Sequence, residues 1–149
     1  LSIHVNYPSF EQEVDIVART TSAPVGPVDV IAQAEELLAL QRTVLAIVAA
    51  PDVVRYAVEI VSRTRPDAEQ APEPIQQFVS WGAGPRASQH LVLAAKARAA
   101  LMGRPHASKD DVATLAPAVL RHRVLTTYQA EAQGVTTDTL IATVIDQLG

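Results

Sequence analysis

The chain of 149 residues contains 48% hydrophobic and 19% charged residues, a composition typical of a single folded domain. Its net charge of -4 at pH 7 provides no general electrostatic attraction for nucleic acid, and the lack of cysteine excludes disulfide bonds, thiolate chemistry and cysteine-bound zinc. No apolar run approaches the roughly 20 residues of a membrane span, and no signal peptide opens the chain, so the sequence predicts a cytosolic protein without a membrane span.

The chain starts at Leu1 rather than at Met, and residues 1–5 read as a strand. Because an isolated strand needs partners, we expect a segment of a longer protein whose sheet lies outside this chain. Ser9 followed by Gln12 is a capping-box pattern, which predicts a helix over residues 9–19.

Loops and helical stripes alternate through the middle of the chain. Residues 20–27 and 65–74 are rich in turn-forming residues and predict loops. Asp29 is predicted to cap a second helix, while residues 40–50 fit either helix or strand. Pro51 is predicted to open a third helix that ends near residue 63. Its predicted core-facing residues are Val53, Val54, Ala57, Val58 and Val61.

The longest predicted helix spans residues 85–102 and ends at Gly103. Ser108 is predicted to cap the following helix. Pro117 lies inside that helix and is expected to bend or restart it, because proline lacks the N–H that a helix interior uses.

The C-terminal residues complete the predicted fold. Residues 124–128 are rich in β-branched side chains and predict an extended segment. Thr136 or Thr137 is predicted to cap a last helix. The six predicted helices together indicate an all-α helical bundle with a short N-terminal strand-like remnant.

Residues with catalytic or metal-binding side chains are scattered. The sequence holds no phosphate-binding loop and no glycine-flanked nucleophilic serine. No histidine has a second ligand at helical spacing, so no metal site is predicted, and His90 is expected to be a solvated helix residue. Asp110 and Asp111 diverge on a helix, so we expect either a solvated face or partners of the helix dipole rather than a catalytic pair. The chain by itself is not expected to be catalytic.

One segment before the long helix has the composition of an anion site: Trp81-Gly82-Ala83-Gly84-Pro85-Arg86. Gly82 and Gly84 permit a tight turn, Pro85 suits the first helical position, and a helix N-terminus attracts phosphate. Arg86 in the first turn can direct its guanidinium at the same anion. On this pattern alone, an ordinary helix start followed by a solvated arginine is the commoner explanation, because short motifs often match by accident. A second basic cluster, Arg121-His122-Arg123, fits surface charge or a functional role.

These residues resemble the C-terminal lid of MoxR-type AAA+ ATPases, and the resemblance covers nearly the whole chain. It rests on residues 81–88, on Ala94-Ala95-Lys96-Ala97 with Gly103-Arg104, and on Asp110-Asp111-Val112 with residues 119–123. Tyr7-Pro8-Ser9, Thr64-Arg65 and residues 131–138 fit the same family.

The resemblance implies a helical AAA+ lid over residues 9–149, preceded by residues 1–8 as the remnant of the last strand of an ATPase core. Members of the family hydrolyse ATP to remodel or mature client proteins, usually as hexameric rings. Their core domain holds most of the contacts to ATP and Mg²⁺, so the whole protein would be the ATPase.

The resemblance also assigns roles to residues. Arg86 would be the sensor-2 arginine, a catalytic residue of the whole protein, with Gly82, Gly84 and Pro85 beside it at the nucleotide. Arg121 and Arg123 would face nucleotide, a neighbouring subunit or solvent. Arg98, more than three turns along the same helix, is expected to be a surface residue of little consequence. The alternative function is a helical protein-interaction module with no nucleotide role.

Overall fold

The computed structural model describes residues 1–22 and 26–148. Within them, helices and short strands follow in this order: α1 Phe10–Ser22, α2 Ala34–Ala46, β1 Val48–Ala49, α3 Pro51–Arg63, α4 Glu73–Phe78, β2 Val79–Trp81, α5 Pro85–Leu101, β3 His106–Ala107, α6 Lys109–Leu120, β4 Leu125–Thr126, α7 Tyr128–Ala132 and α8 Thr137–Asp146. The predicted all-α class is confirmed. No helix among these residues is both long and apolar enough to cross a membrane.

Helix α5 lies at the centre of the bundle and contacts α2, α3 and α6. Its buried face consists of Ala87, Leu91, Ala95 and Ala99, which repeat every four residues and so align on one side of the helix. Because three of these side chains are alanines, neighbouring helices can pack directly against the α5 backbone. Helix α8 completes the core with Leu140, Ile141 and Val144.

Two small sheets connect the ends of the helices. Strand β1 pairs with β3 in parallel, with Val48 opposite His106. Strand β2 pairs antiparallel with β4, and Trp81 lies opposite Leu125. The second pairing matters for function, because β2 leads directly into the segment that precedes α5.

Most predicted helix boundaries follow from local residue chemistry and are confirmed. Pro51 and Pro85 are the first residues of α3 and α5, and the side chains of Ser108 and Thr136 cap α6 and α8. Gly103 follows α5 with a φ of 68°, a left-handed conformation that favours glycine. The extended segment predicted near residues 124–128 is strand β4.

Other predicted boundaries are wrong. Asp29 caps no helix: α2 begins at Ala34, and the N–H of Gln33 donates to Glu36 Oε2 at 2.8 Å. Helix α1 runs to Ser22, into the loop predicted over residues 20–27, of which residues 23–25 lie outside the described residues. Helix α6 continues through Pro117 without restarting, and helices α4 and α7 were not predicted.

The strand pattern of residues 1–5 is not realised as a strand. Residues 1–9 form neither helix nor strand. Within the described part of the chain, one backbone hydrogen bond joins this segment to the bundle, from the Ser2 N–H to the Ala118 carbonyl at 2.7 Å.

Several predicted core positions lie on the surface. Val54 and Val58 of α3 are exposed, and the face that packs inward consists of Val53, Tyr56, Ala57, Ile60 and Val61. The buried face of α3 is therefore rotated about the helix axis relative to the predicted face, so that Tyr56 and Ile60 point inward instead of Val54 and Val58. Helices α1 and α2 bury none of their side chains.

Candidate functional site

The segment between β2 and α5 is held against the C-terminal end of α3. The N–H of the buried residue Ala83 donates to Thr64 Oγ1 at 2.9 Å, and the Ala83 carbonyl accepts from Arg65 Nε at 3.1 Å. Thr64 is fully buried, and its hydroxyl donates to the Val61 carbonyl at 2.7 Å. Both backbone polar groups of Ala83 therefore have partners at the end of α3, three residues before Arg86.

Gly82 is required by close approach rather than by backbone conformation. A Cβ atom at this position would lie 2.5 Å from the Thr64 carbonyl oxygen and 2.6 Å from Arg65 Cα, distances that no side chain tolerates. Neither Gly82 nor Gly84 has a positive φ. Gly84, the residue before the first turn of α5, has a φ of -87° and open space where a Cβ would be. The two glycines thus differ: packing demands only Gly82.

Arg86 stands in the first turn of α5 with its side chain exposed. Nothing in residues 1–22 or 26–148 forms a hydrogen bond or ion pair with its guanidinium. The first turn is closed by the Ala87 N–H, which donates to the Gly84 carbonyl at 2.9 Å. The positive end of α5 and an unpaired guanidinium therefore lie side by side, an arrangement that fits a phosphate group.

A surface cleft of about 380 Å³ lies beside this segment. Residues from the end of α3 and from the segment before α5 line it together, among them Arg65, Asp67, Trp81 and Gly82. The Trp81 side chain is 71% exposed, although its backbone belongs to β2. The site is thus built from two parts of the chain that only the tertiary fold brings together.

Arg121 and Arg123 have partners within the chain. Arg121 binds Asp138 with both Nε and a terminal nitrogen, at 3.2 and 3.1 Å, and so links the end of α6 to the first turn of α8. Arg123 donates from Nε to the Val119 carbonyl at 2.9 Å, and its terminal nitrogen lies 3.0 Å from His90 Nδ1. His90 is exposed, as predicted, but it has this partner.

The His90 contact brings Arg123 toward the candidate site. His90 lies four residues after Arg86, so the two share one face of α5 about one turn apart. Desolvation, and next the charge of Arg123, lower the pKa of His122 and so favour its neutral form. Arg123 thus approaches the face of α5 that carries Arg86, while Arg121 is directed toward α8.

The structure places Asp111 in a buried ionic cluster, so the expectation of a solvated face is wrong for this residue, although it lies in the first turn of α6 as predicted. Its fully buried carboxylate accepts from Arg104 at 2.6 and 2.9 Å, from Arg98, and from the backbone N–H and hydroxyl of Ser108 at 2.8 and 2.9 Å. The Arg104 hydrogen bonds, followed by those of Ser108 and Arg98, hold the pKa of Asp111 far below its usual range despite burial. Arg98 is therefore a structural residue and not a silent surface position. A signal was present, since Ser108 and Asp111 have capping-box spacing with Asp in place of Glu.

The donor set of these residues indicates which ligands the site can hold. Within the described part of the chain, no group of three histidine or acidic side chains lies close enough to hold a metal ion. The start of α5 with Arg86, in contrast, has the chemistry to bind phosphate oxygens.

Known proteins resemble this chain both in sequence and in fold. Residues 74–144, which include Arg86, helices α5 to α7 and most of α8, match the family described as the AAA lid domain. The chain is 32% identical over 143 residues to the chaperone MoxR1 of Mycobacterium tuberculosis, and 32% identical over 140 residues to YeaC, an uncharacterised protein of Bacillus subtilis. The alignments cover 96% and 93% of this chain but 38% and 41% of those relatives, so the chain spans about two fifths of their length.

A solved structure has the same fold over almost the whole chain. The crystal structure of a candidate ATPase from Cytophaga hutchinsonii superimposes with a TM-score of 0.82 at 27% sequence identity, covering 99% of this chain and 45% of the other. The family match, the sequence relatives and the fold thus point to one family. The chain therefore contains an AAA lid domain of the MoxR type.

Proposed function

We propose that this chain is the lid of an ATP-hydrolysing, MoxR-like AAA+ protein, and that Arg86 is its sensor-2 arginine. The lid closes over ATP that a core domain outside this chain binds, together with Mg²⁺. The observation that carries the proposal is the state of Arg86. Of the arginines within residues 74–144, Arg98, Arg104, Arg121 and Arg123 all bind partners in the chain, whereas Arg86 is exposed and unpaired at a helix N-terminus.

The physical basis is charge neutralisation. A guanidinium presents a planar fork of N–H donors that matches the oxygens of a terminal phosphate, and the α5 N-terminus adds its own positive potential. Charge on those oxygens is redistributed in the transition state of phosphoryl transfer, so a fixed arginine there lowers the barrier. Loss of the terminal phosphate removes the partner of Arg86, which frees the lid to move and couples hydrolysis to a conformational change.

The remaining parts of the proposal concern assembly and location. The relative MoxR1 is named a chaperone, which supports a role of this protein in the ATP-driven remodelling or maturation of a client protein. We propose the cytoplasm as the place of this activity. We further propose that the complete protein assembles as a ring, usually a hexamer in this family. Arg123, close to Arg86 through His90, is the better candidate of the two C-terminal arginines for a nucleotide or subunit contact. Gly82, Gly84 and Pro85 would contribute backbone near the nucleotide.

The decisive experiment replaces Arg86 in the complete protein that contains this chain. Arg86→Ala should lower the rate of ATP hydrolysis strongly, by up to about 10³-fold. Arginines that contact the transferred phosphoryl group raise kcat by about 10³- to 10⁵-fold, and we expect a sensor arginine to lie at or below the lower end of that range. Arg86→Lys should restore only part of the rate, since the charge returns without the planar fork. Arg55→Ala is the matched control: Arg55 is exposed on α3 and has no ion pair among the described residues.

Thermal unfolding of each variant separates catalysis from folding. Removing an exposed, unpaired arginine should leave the midpoint within a few degrees of the parent. If Arg86→Ala hydrolyses ATP as fast as Arg55→Ala, or loses activity only because the lid unfolds, Arg86 is an ordinary helix-start residue. The alternative of a helical interaction module without a nucleotide role would then be the better reading.

A further inference from the structure

Residues directly after α3 hold the turn that precedes α5. We call this region the α3 clamp, defined as Thr64 and Arg65 at the end of α3 together with Gly82 of the facing segment. Thr64 Oγ1 accepts from the Ala83 N–H, Arg65 Nε donates to the Ala83 carbonyl, and Gly82 lies directly against the Thr64 carbonyl. The hydrogen-bonded residues lie 19 and 18 positions apart in the sequence, so the clamp is a purely tertiary contact.

We propose that Thr64 is a positioning residue for Arg86: its buried hydroxyl fixes the Ala83 backbone and thereby the direction in which α5 presents the Arg86 guanidinium. This inference rests on the sensor-2 role proposed above for Arg86. The Thr64 hydroxyl binds Val61 and Ala83 and not Arg86 within the described residues, so Thr64 would act through the backbone of the segment that leads to Arg86.

The chemistry of Thr64 supports this role over simple packing. A valine would fill the same volume, but the buried Ala83 N–H would then lose its acceptor. The Val61 carbonyl would lose the hydroxyl and keep only the Thr64 backbone N–H, at 3.2 Å. The threonine hydroxyl thus serves one group as acceptor and the other as donor. A buried hydroxyl is disfavoured unless it is fully hydrogen-bonded, as it is here.

The path from the clamp to Arg86 is short and stiff. Only Gly84 and Pro85 separate Ala83 from Arg86, and the proline ring fixes one of the intervening dihedral angles. The Ala87 N–H closes the first turn onto the Gly84 carbonyl. Because Pro85 and the hydrogen bond at Gly84 restrain this connection, we expect a displacement of Ala83 to reach the base of the Arg86 side chain.

The first part of the test measures the clamp without any nucleotide. Hydrogen exchange of the Ala83 amide is followed by NMR in this 149-residue chain, with the Leu91 amide in the middle of α5 as an internal reference. Thr64→Val should speed exchange at Ala83 roughly fivefold to tenfold relative to Leu91, the factor expected from losing one hydrogen bond. Thr64→Ser keeps the hydroxyl and should leave the ratio near that of the parent. Equal acceleration at both amides would mean that Thr64 contributes only to global stability, which overturns the proposal.

The second part measures coupling to Arg86 in the complete protein. Thr64→Val should lower kcat for ATP hydrolysis about tenfold with little change in KM, because a misdirected group costs most in the transition state. Thr64→Ser should rescue most of the loss. In an Arg86→Ala background, Thr64→Val should lower kcat less than about twofold further, since both changes then remove the same interaction.

The outcomes separate the two proposals. Suppose that Arg86→Ala lowers kcat, and that Thr64→Val lowers kcat by the same factor in the Arg86→Ala variant as in the parent. Thr64 then does not act through Arg86, and only the positioning role fails. If Arg86→Ala itself leaves hydrolysis unchanged, the sensor-2 role fails and the positioning role with it. A Thr64→Ser variant as impaired as Thr64→Val would also overturn the inference, because the hydroxyl would then be irrelevant.

Discussion

Replacing Asp111 with asparagine is expected to destabilise the bundle far more than the same replacement at the adjacent Asp110. The Asp111 carboxylate is fully buried and joins three segments: Arg98 of α5, Arg104 of the connection, and Ser108 at the start of α6. Asparagine keeps an oxygen that can accept from the Ser108 N–H, so the substitution removes mainly the arginine contacts. Asp110 is the control, because its side chain is 77% exposed and binds only Arg98, at 3.1 Å.

The magnitude follows from the burial of the three side chains. Removing one partner of a buried ion pair costs about 3–5 kcal/mol. The side chains of Arg98 and Arg104 are 26% and 33% exposed to solvent, so water can partly replace the lost carboxylate. We therefore expect Asp111→Asn to lower the free energy of unfolding by about 2–3 kcal/mol, and Asp110→Asn by less than about 1 kcal/mol. In urea, the former corresponds to a midpoint shift of roughly 1–2 M.

The pH dependence provides a second signature. The pKa of Asp111 in the folded chain lies far below the value of about 4 for an unfolded aspartate. A carboxyl with a depressed folded pKa contributes stability above the unfolded pKa, and that contribution is lost as the pH falls below it. The difference between the parent and Asp111→Asn should thus be constant near neutral pH and shrink below about pH 4. Urea unfolding followed by circular dichroism at several pH values measures it. Equal losses for the two asparagine variants, or a difference independent of pH, would refute the reasoning.

Three further predictions concern the glycines, the N-terminal segment and turnover. Gly82→Ala should lower the thermal unfolding midpoint markedly, because the new Cβ would lie 2.5 Å from the Thr64 carbonyl oxygen. Gly84→Ala should be tolerated, since nothing lies within 4 Å of a Cβ at that position. Comparable midpoints for the two variants would contradict the packing argument. Deleting residues 1–5 should reduce self-association, as measured by sedimentation velocity, because Leu1, Ile3 and Val5 are 70%, 81% and 84% exposed. If the parent chain is already a monomer, this prediction is wrong. The 149-residue chain alone should release phosphate from ATP only at background rate, and turnover that follows the protein peak through purification would disprove this.

Local residue chemistry explains the successful part of the sequence interpretation. The starts of α3, α5, α6 and α8 depend on proline at the first position or on a hydroxyl that caps the first turn. These interactions span three or four residues and can be read directly from the sequence. The motif around Arg86 belongs to the same class, since Pro85 places Arg86 in the first turn of α5 whatever surrounds the helix.

Errors arose where the outcome depends on distant neighbours. Val54 and Val58 have helical spacing with Val61, yet the face of α3 that meets α5 is centred on Ala57 and Ile60. Asp111 looked like a solvated acidic residue because its arginine partners lie 7 and 13 positions away. Burial of a charge is stable only with such partners, which no local pattern reveals.

By itself, the sequence determined the helical class, the positions of the capped helices and the presence of an arginine at a helix N-terminus. Only the tertiary structure decided that Arg86 is unpaired while Arg121 and Arg123 have partners in the chain, and that Gly82 is indispensable whereas Gly84 is not. The physical reason is that caps and helix starts are satisfied within one turn of backbone. The Thr64 hydroxyl, in contrast, finds its second partner, the Ala83 N–H, 19 residues away, where only the packing of α3 against α5 can place it.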